Sequence, residues 1–402
     1  MRPFTSTISL DEARRRLAAH LRPIARTERV PLEEASGRVT AADVRSPIDV
    51  PPFARSAMDG YAVVAEDVAG ASKAAPARLR LVDRIYTGRM PSIDIERGTC
   101  AEIATGAPLP AGADAVVMVE ETSKAAADEI EIFATATAGQ NIARRGADMT
   151  TGDVIVSSGD LLTPSRIGAL AATGCAVAEV FAKPRVAILS TGNEVVEPGR
   201  TLVPGQIYDV NRFTLGAIVG AHGGVPEPHR AAEDSVDALV AALDACAKTD
   251  LIVFSGGSSV GERDLVVDAI AARGEMIFHG IAVRPGKPTA FARIGETPFL
   301  GMPGNPTSCL SNAYILLVPY LRALARLPPY VPRTMRLPLG RRIASAVNRH
   351  QFYTVRARDG AAFPAFKGSG DITSLSQADG YIEIAADTSV VEEGTVVEVT
   401  LF

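Results

Sequence analysis

Apolar and polar positions follow three different rhythms along this chain. Near the start, SLDEARRRLAAHL opens on Ser9 with Glu12 three residues later, the spacing of a capping box, and predicts an amphipathic helix. PLEEASGRV reads as a second, short helical turn that stops at Gly37. From about Val44 to Thr150 the rhythm changes. Short strand-like runs (YAVVA, RLRLVDRIY, AVVMVE, EIEIFA) alternate with Gly, Pro and Asp turns, and ATGAPLPAGAD forms a rigid loop among them. LLTPSRIGALAATG returns to helix, with Pro164 in its first turn. If that helix packs on the N-terminal ones, the β-rich part is an insertion between them.

The third rhythm begins at Lys183. RVAILS and LIVFSGG are continuous apolar strands, MIFHGIAV is another, and NRFTLGAIVGAHG, SVDALVAALDACAK, RDLVVDAIAARG and PTSCLSNAYILLVPYLRAL are helical. Buried strands alternating with helices predict a mostly parallel sheet covered on both faces. RLPPYVP marks a linker, and the runs beyond it (MRLPLGRRI, FYTVRAR, AAFPAF, GYIEIA, TVVEVTLF) alternate at period two. The fold expected is multidomain α/β plus β. A helical part covers residues 1–45 and 146–182, and a β-rich insertion covers 46–145. A central three-layer α/β domain covers 183–328, and a small β-barrel-like domain covers 329–402.

Composition narrows the class. The chain has 402 residues, 47% of them apolar, no tryptophan and only 5% aromatics, so its cores rest on Val, Ile, Leu and Ala. A net charge of −5 gives no global attraction to nucleic acid or anionic membrane, so an anion must be held by local cations and backbone N–H groups. Cys100, Cys175, Cys246 and Cys309 lie far apart, which argues against a zinc site or a disulfide framework. No apolar leader or membrane-length run is present, so a cytoplasmic protein is expected.

Three loops of the α/β part share one construction: LSTGNEV, FSGGSSVGERD and GMPGNPTS each follow an apolar strand and carry small residues. Ligands of open parallel sheets bind at the carboxyl ends of strands, and glycine lets backbone approach a phosphate closely. VRPGKPTAF holds Arg284 and Lys287 on a stiff turn, a candidate oxyanion site. Glu194, Asp234 and Asp264 gather on or beside these loops, as Mg²⁺ on a phosphate-bearing ligand would require. Plainer roles compete: Asp234 can cap a helix, and Asp264 can complement a helix dipole. Arg144 and Arg145 read as surface salt-bridge residues. The histidines (20, 222, 229, 279, 350) lack metal-ligand spacing, and GGSSVG does not match a nucleophile elbow.

PPFARSAMDGYAV, ATGAPLPAGADAVVMVE, NIARRGAD, STGNEV, GQIYDVN, SGGSSVGERD, RPGKPTAF and GMPGNPTSCL occur in that order. Together they resemble the molybdopterin molybdenumtransferase family, which includes the bacterial MoeA proteins and the gephyrin E domain. The resemblance implies a homodimer that joins molybdate to the dithiolene of an adenylylated pterin and releases AMP with Mg²⁺ assisting. It implies Asp59, Asp148, Glu194, Asp234 and Asp264 as the working acids, with Glu194, Asp234 and Asp264 around the metal. Thr105, Gly256, Gly257, Ser259, Arg284, Lys287, Pro288, Gly304, Asn305, Ser308 and Ser369 would bind substrate. Asp59 would reach the partner subunit's cleft; on turn chemistry alone it is an Asx-turn residue. The chain departs from the family at Gly280 and Arg284, where lysines are common, and at Thr354, where an arginine is common; Arg356 is the candidate substitute. The adenylyltransferase of the preceding step, also a possible protein partner, and a gephyrin-like scaffold are the alternative readings.

Overall fold

The computed structural model describes residues 7–230, 235–256, 265–345 and 347–402. By contacts the chain falls into two compact units. The first takes Met1–Glu28, Gly37–Val39 and Val180–Phe402, and the second Arg29–Ser36 and Thr40–Glu179. No helix among the described residues is long and apolar enough to cross a membrane.

The first unit is built on helix α1 (Leu10–Ala19) and a six-stranded sheet. Its strands are β1 (Arg185–Ser190), β2 (Val225–Arg230), β3 (Leu251–Gly256), β4 (Gly274–His279), β5 (Ala290–Ile294) and β6 (Thr297–Pro303), in the order β2-β1-β3-β6-β5-β4. β2, β1, β3 and β6 run parallel, whereas β5 and β4 complete the sheet antiparallel. The period of two sends alternate residues of each strand into different cores. Val186, Ile188, Leu251, Val253 and Leu300 enter one core; Ala187, Leu189, Ile252, Phe254 and Phe299 enter the other. Helices α2 (Asn211–Ala221) and α5 (Pro306–Asn312) close the first core, and α3 (Val236–Cys246) and α4 (Leu265–Arg273) close the second. Helices therefore cover both faces of the sheet. The hairpin β5–β6, whose first strand the apolar pattern does not delimit, turns through Gly295 and Glu296 between the paired Ile294 and Thr297.

α1 begins as expected, with Ser9 Oγ accepting the Glu12 N–H at 3.2 Å. The capping box is only half made, because the Glu12 carboxylate turns to Arg15 and Arg16. Leu10, Ala13 and Leu17 insert into the α2/α5 core, so α1 is part of the α/β unit and not of the group expected to hold residues 146–182. The long C-terminal helix is broken up. α5 passes through a wider π-helical turn at Ala313–Leu317 before resuming as α6 (Val318–Leu324). Pro319, which has no N–H to give to the preceding turn, follows directly.

The last part of the first unit is a second sheet of β7 (Thr334–Pro338), β8 (His350–Arg358), β9 (Ala361–Pro364), β10 (Gly380–Ile384) and β11 (Val396–Leu401). The short strand Val283–Arg284 joins its edge, pairing parallel with His350 and Gln351 of β8. The β domain thereby holds the turn that carries Arg284 and Lys287.

The second unit has its own six-stranded sheet and the helix Pro164–Ala172, capped by Thr163. Thr99–Ile103, a run the sequence pattern leaves unmarked, is an inner strand between Gly60–Val63 and Ala77–Ile85. Gly60 is required by close approach, since a Cβ there would lie 1.9 Å from the Val117 carbonyl oxygen on the neighbouring strand.

Two stability outcomes follow. Phe291, fully buried among the rings of His20, Phe278 and Tyr320, ties α1 to the sheet; Phe291→Ala should cost about 3–5 kcal/mol in urea unfolding. Gly60→Ala should destabilise the second unit while the first unit's transition stays in place, a separation that domain-resolved hydrogen exchange would register.

Candidate functional site

A cavity of about 1090 Å³ lies in the first unit, at the carboxyl ends of the three adjacent parallel strands β1, β3 and β6. Ser190 ends β1 and Thr191 follows it, Ser255 and Gly256 end β3, and Pro303 ends β6 with Gly304 next. Strand register sets these ends side by side: Ser190 pairs with Ser255, and Gly256 with Pro303. The 207–211 segment, the 283–288 turn, the start of α5 and the loop 366–370 supply further walls.

Hydrogen bonds hold these walls together. Asn211, at the start of α2 and 8% exposed, donates through Nδ2 to Ser255 Oγ at 2.8 Å and to the Gly304 carbonyl at 2.7 Å. One side chain thus spans two strand ends, and its buried Oδ1 has no partner among the described residues. Asn305 Nδ2 donates to Ser369 Oγ at 3.0 Å, and the Thr307 N–H donates to the Ser369 carbonyl at 3.1 Å. Thr307 Oγ1 also donates to the Asp371 carbonyl at 2.7 Å. The start of α5 is thereby clamped to the loop from the β domain.

Charge decides what the cleft can hold. Its described lining carries the cations Arg284, Lys287, Arg349 and Lys367 against two carboxylates, Glu194 and Asp209. Asp209 is buried, accepts the Arg212 N–H at 3.0 Å and faces that guanidinium at 3.8 Å, so it is already committed. Exposed Glu194 pairs with no cation among the described residues. A chain of net charge −5 has concentrated positive charge in one concavity, the arrangement that raises local anion concentration.

Of the residues expected from sequence, Glu194, Gly256, Arg284, Lys287, Pro288, Gly304, Asn305, Ser308 and Ser369 all line this cleft. Asp234, Gly257, Ser259 and Asp264 lie outside the described residues. Asp59, Thr105 and Asp148 belong to the second unit, all exposed. Asp59 Oδ1 accepts the Thr105 N–H at 2.7 Å, so two expected site residues are brought together there. Arg145 forms the expected surface ion pair, with Asp49 at 2.6 Å. Arg145 and the Thr151 N–H and hydroxyl hold the Asp49 carboxyl below the usual carboxylate range, the backbone bond contributing most.

Arg356, the expected substitute cation, is turned to another partner. Its guanidinium donates to the Gln377 carbonyl and side chain, and it is not among the residues that line the cleft. Thr354 is buried. Arg349 and Lys367 supply the further positive charge, and neither they nor Asn211 were singled out from sequence. The signal for Asn211 was present in GQIYDVN; isolated basic residues in a loop and at a strand edge give none.

Cys309, the residue after Ser308, faces the core. Burial pushes its thiol up to about 12, with a hydrogen bond from Ser255 acting in the opposite direction. It is no nucleophile at neutral pH.

A cleft with four cations against two carboxylates in its described lining, at the carboxyl ends of parallel strands, defines an α/β protein with an anion-attracting concavity. Three family descriptions match successive stretches of the chain. They are the MoeA N-terminal region (domain I and II) over residues 8–174, a probable molybdopterin binding domain over 187–323, and the MoeA C-terminal region (domain IV) over 336–402. The chain is 36% identical to molybdopterin molybdenumtransferase 2 of Mycobacterium tuberculosis, covering 96% of this chain and 97% of that one. It is 32% identical to the molybdopterin molybdenumtransferase of Haemophilus influenzae, covering 98% of each. Among solved structures it resembles a molybdopterin biosynthesis MoeA protein from Pyrococcus horikosii, at 39% identity and a TM-score of 0.84, over 98% of this chain and 99% of that one. The chain belongs to the molybdopterin molybdenumtransferase family.

The four cysteines differ in burial. Burial raises Cys100 to about 12 and Cys246 to about 11, as it raises Cys309, whereas Cys175 is only half-buried. Iodoacetamide at pH 8 should therefore label Cys175 first in the folded protein. The other three, protonated below their raised values and shielded, should react only after urea is added, as peptide mass mapping would record.

Proposed function

We propose that this cleft is where molybdate is joined to an adenylylated molybdopterin, with release of AMP. The chain acts as a molybdopterin molybdenumtransferase in molybdenum-cofactor biosynthesis. The observation that carries the placement is the meeting of Arg284, Lys287 and Ser308 in one concavity. Two cations and a hydroxyl donor suit a tetrahedral dianion, because charge-assisted hydrogen bonds are about twice as strong as neutral ones.

The chain's own groups have separable tasks. Arg284 and Lys287 hold the oxyanion, and the Asn305–Ser369 clamp fixes the mouth of the cleft above Ser308. Arg349 and Lys367 extend the positive surface over which a pterin phosphate and nucleotide lie. The finer partition into four domains assigns these contacts to the α/β and C-terminal β domains.

Mg²⁺ fits the donor set in a limited way. It needs only one or two carboxylates when substrate phosphates and waters complete its shell. Glu194 offers hard oxygens at the cleft without a competing cation among the described residues, and no described cluster of three ligating side chains exists. We assign Glu194, with Asp234 and Asp264, to hold the ion, which when bound supplies charge neutralisation at the phosphates. Asp148 is assigned to the same machinery.

The active form is proposed to be a cytoplasmic homodimer in which Asp59 of one copy completes the cleft of the other, with Thr105 orienting its carboxylate. Exposure, and the one described hydrogen bond to the Asp59 carboxylate, leave its second oxygen for a ligand.

Purified chain with Mg²⁺ and adenylylated molybdopterin should release AMP only when molybdate is added. Release that ignores molybdate contradicts the assignment, and consumption of ATP with unadenylylated pterin would move the chain to the preceding step. For the dimer, Asp59→Asn and Lys287→Ala should each be inactive alone. Co-expressed, they should recover about a quarter of wild-type activity, because half the dimers are mixed and each mixed dimer has one intact site. No recovery would place Asp59 and Lys287 in the same copy's site.

A further inference from the structure

The turn that carries Arg284 and Lys287 is fastened from beneath by one side chain. Asn312, the last residue of α5, is fully buried and does not line the cleft. Its Nδ2 donates to the Gly286 carbonyl at 2.9 Å and to Thr289 Oγ1 at 2.5 Å. Gly286 sits between the two cations with φ +104°, and a Cβ there would lie 2.3 Å from Asn312 Nδ2. The amide therefore packs directly against the peptide linking Arg284 and Lys287.

The helix supplies the rest of the geometry. Ser308 and Asn312 are four residues apart on α5 and so lie on one face, a single turn from each other. Ser308 lines the cleft and Asn312 grips the turn opposite. A rigid helical turn thus sets the spacing between the hydroxyl and the two cations.

We propose that Asn312 is a positioning residue that fixes Arg284 and Lys287 relative to Ser308, and so determines affinity for the oxyanion and not for the nucleotide. The oxyanion half of this rests on the function proposed above; the fastening of the turn does not. Two features separate this role from general stabilisation. The Gly286 carbonyl also accepts from Thr289 Oγ1 at 2.8 Å, so removing the amide leaves that carbonyl paired. Asn312 Oδ1 is itself buried with no partner among the described residues, so an apolar replacement removes an unsatisfied acceptor along with the two bonds. The two effects oppose each other in stability and act together on the turn.

The test uses the full chain, as wild type, Asn312→Leu and Asn312→Ala, the last as the variant that cannot overpack. Molybdate and AMP are each titrated by calorimetry, and hydrogen exchange is followed at Gly280, Ile281 and Thr289, whose N–H groups tie the turn. Molybdate affinity should fall at least about tenfold in both variants, the scale on which small misplacements of binding groups act. AMP affinity should stay within about twofold and the melting temperature within about 4 °C, while exchange at the three amides accelerates. Unchanged molybdate affinity and exchange overturn the proposal, and so does a parallel loss of AMP binding and stability. If wild type itself binds no molybdate, the functional reading falls, and the exchange data alone decide whether Asn312 fastens the turn.

Discussion

The parallel pairing of β1, β3 and β6 is the constraint on which the rest of the structure depends. Each strand is buried on both faces, so its register cannot slip by one residue without exchanging every side chain between two filled cores. That register brings three strand ends to one line, and residues at each end line a common cleft. Asn211 then links the second end to the third, and α5 leaves the third carrying Ser308. The cleft is a consequence of the sheet, and loop sequence only decides what it binds.

A second restraint comes from the C-terminal β domain. Val283–Arg284 is added to the edge of that domain's sheet, while the loop 366–371 is bonded to the start of α5. The domain therefore grips the α/β part at both sides of the cleft. That domain immobilises the cation turn and contributes Arg349 and Lys367 to the cleft lining. Electrostatic preorganisation of this sort places charge before the ligand arrives and needs no later rearrangement.

Much of this was legible in the chain. Continuous apolar runs such as RVAILS could only be strands covered on both faces, and the glycine-rich turns after them marked the cleft. Five expected residues that line it (Glu194, Gly256, Gly304, Asn305 and Ser308) lie on those loops, Arg284, Lys287 and Pro288 lie on the VRPGKPTAF turn, and Ser369 is implied by the family resemblance alone. What the pattern could not show depends on packing between distant segments. Asn312 sits within an apolar stretch where an amide gives no periodic signal, and its partners are 23 and 26 residues away. Arg356 had the right face of its strand but found Gln377 first. α1 was grouped with the wrong segment because an amphipathic stripe does not name the surface it covers.

Arg284, Lys287 and Ser308 are proposed to form one oxyanion pocket. The most direct measurement is a crystal of the full chain soaked in tungstate, read at the tungsten absorption edge. A single strong anomalous peak within hydrogen-bonding reach of all three side chains is the result this account predicts. A peak on another surface, with the space between these residues holding only water, would contradict it.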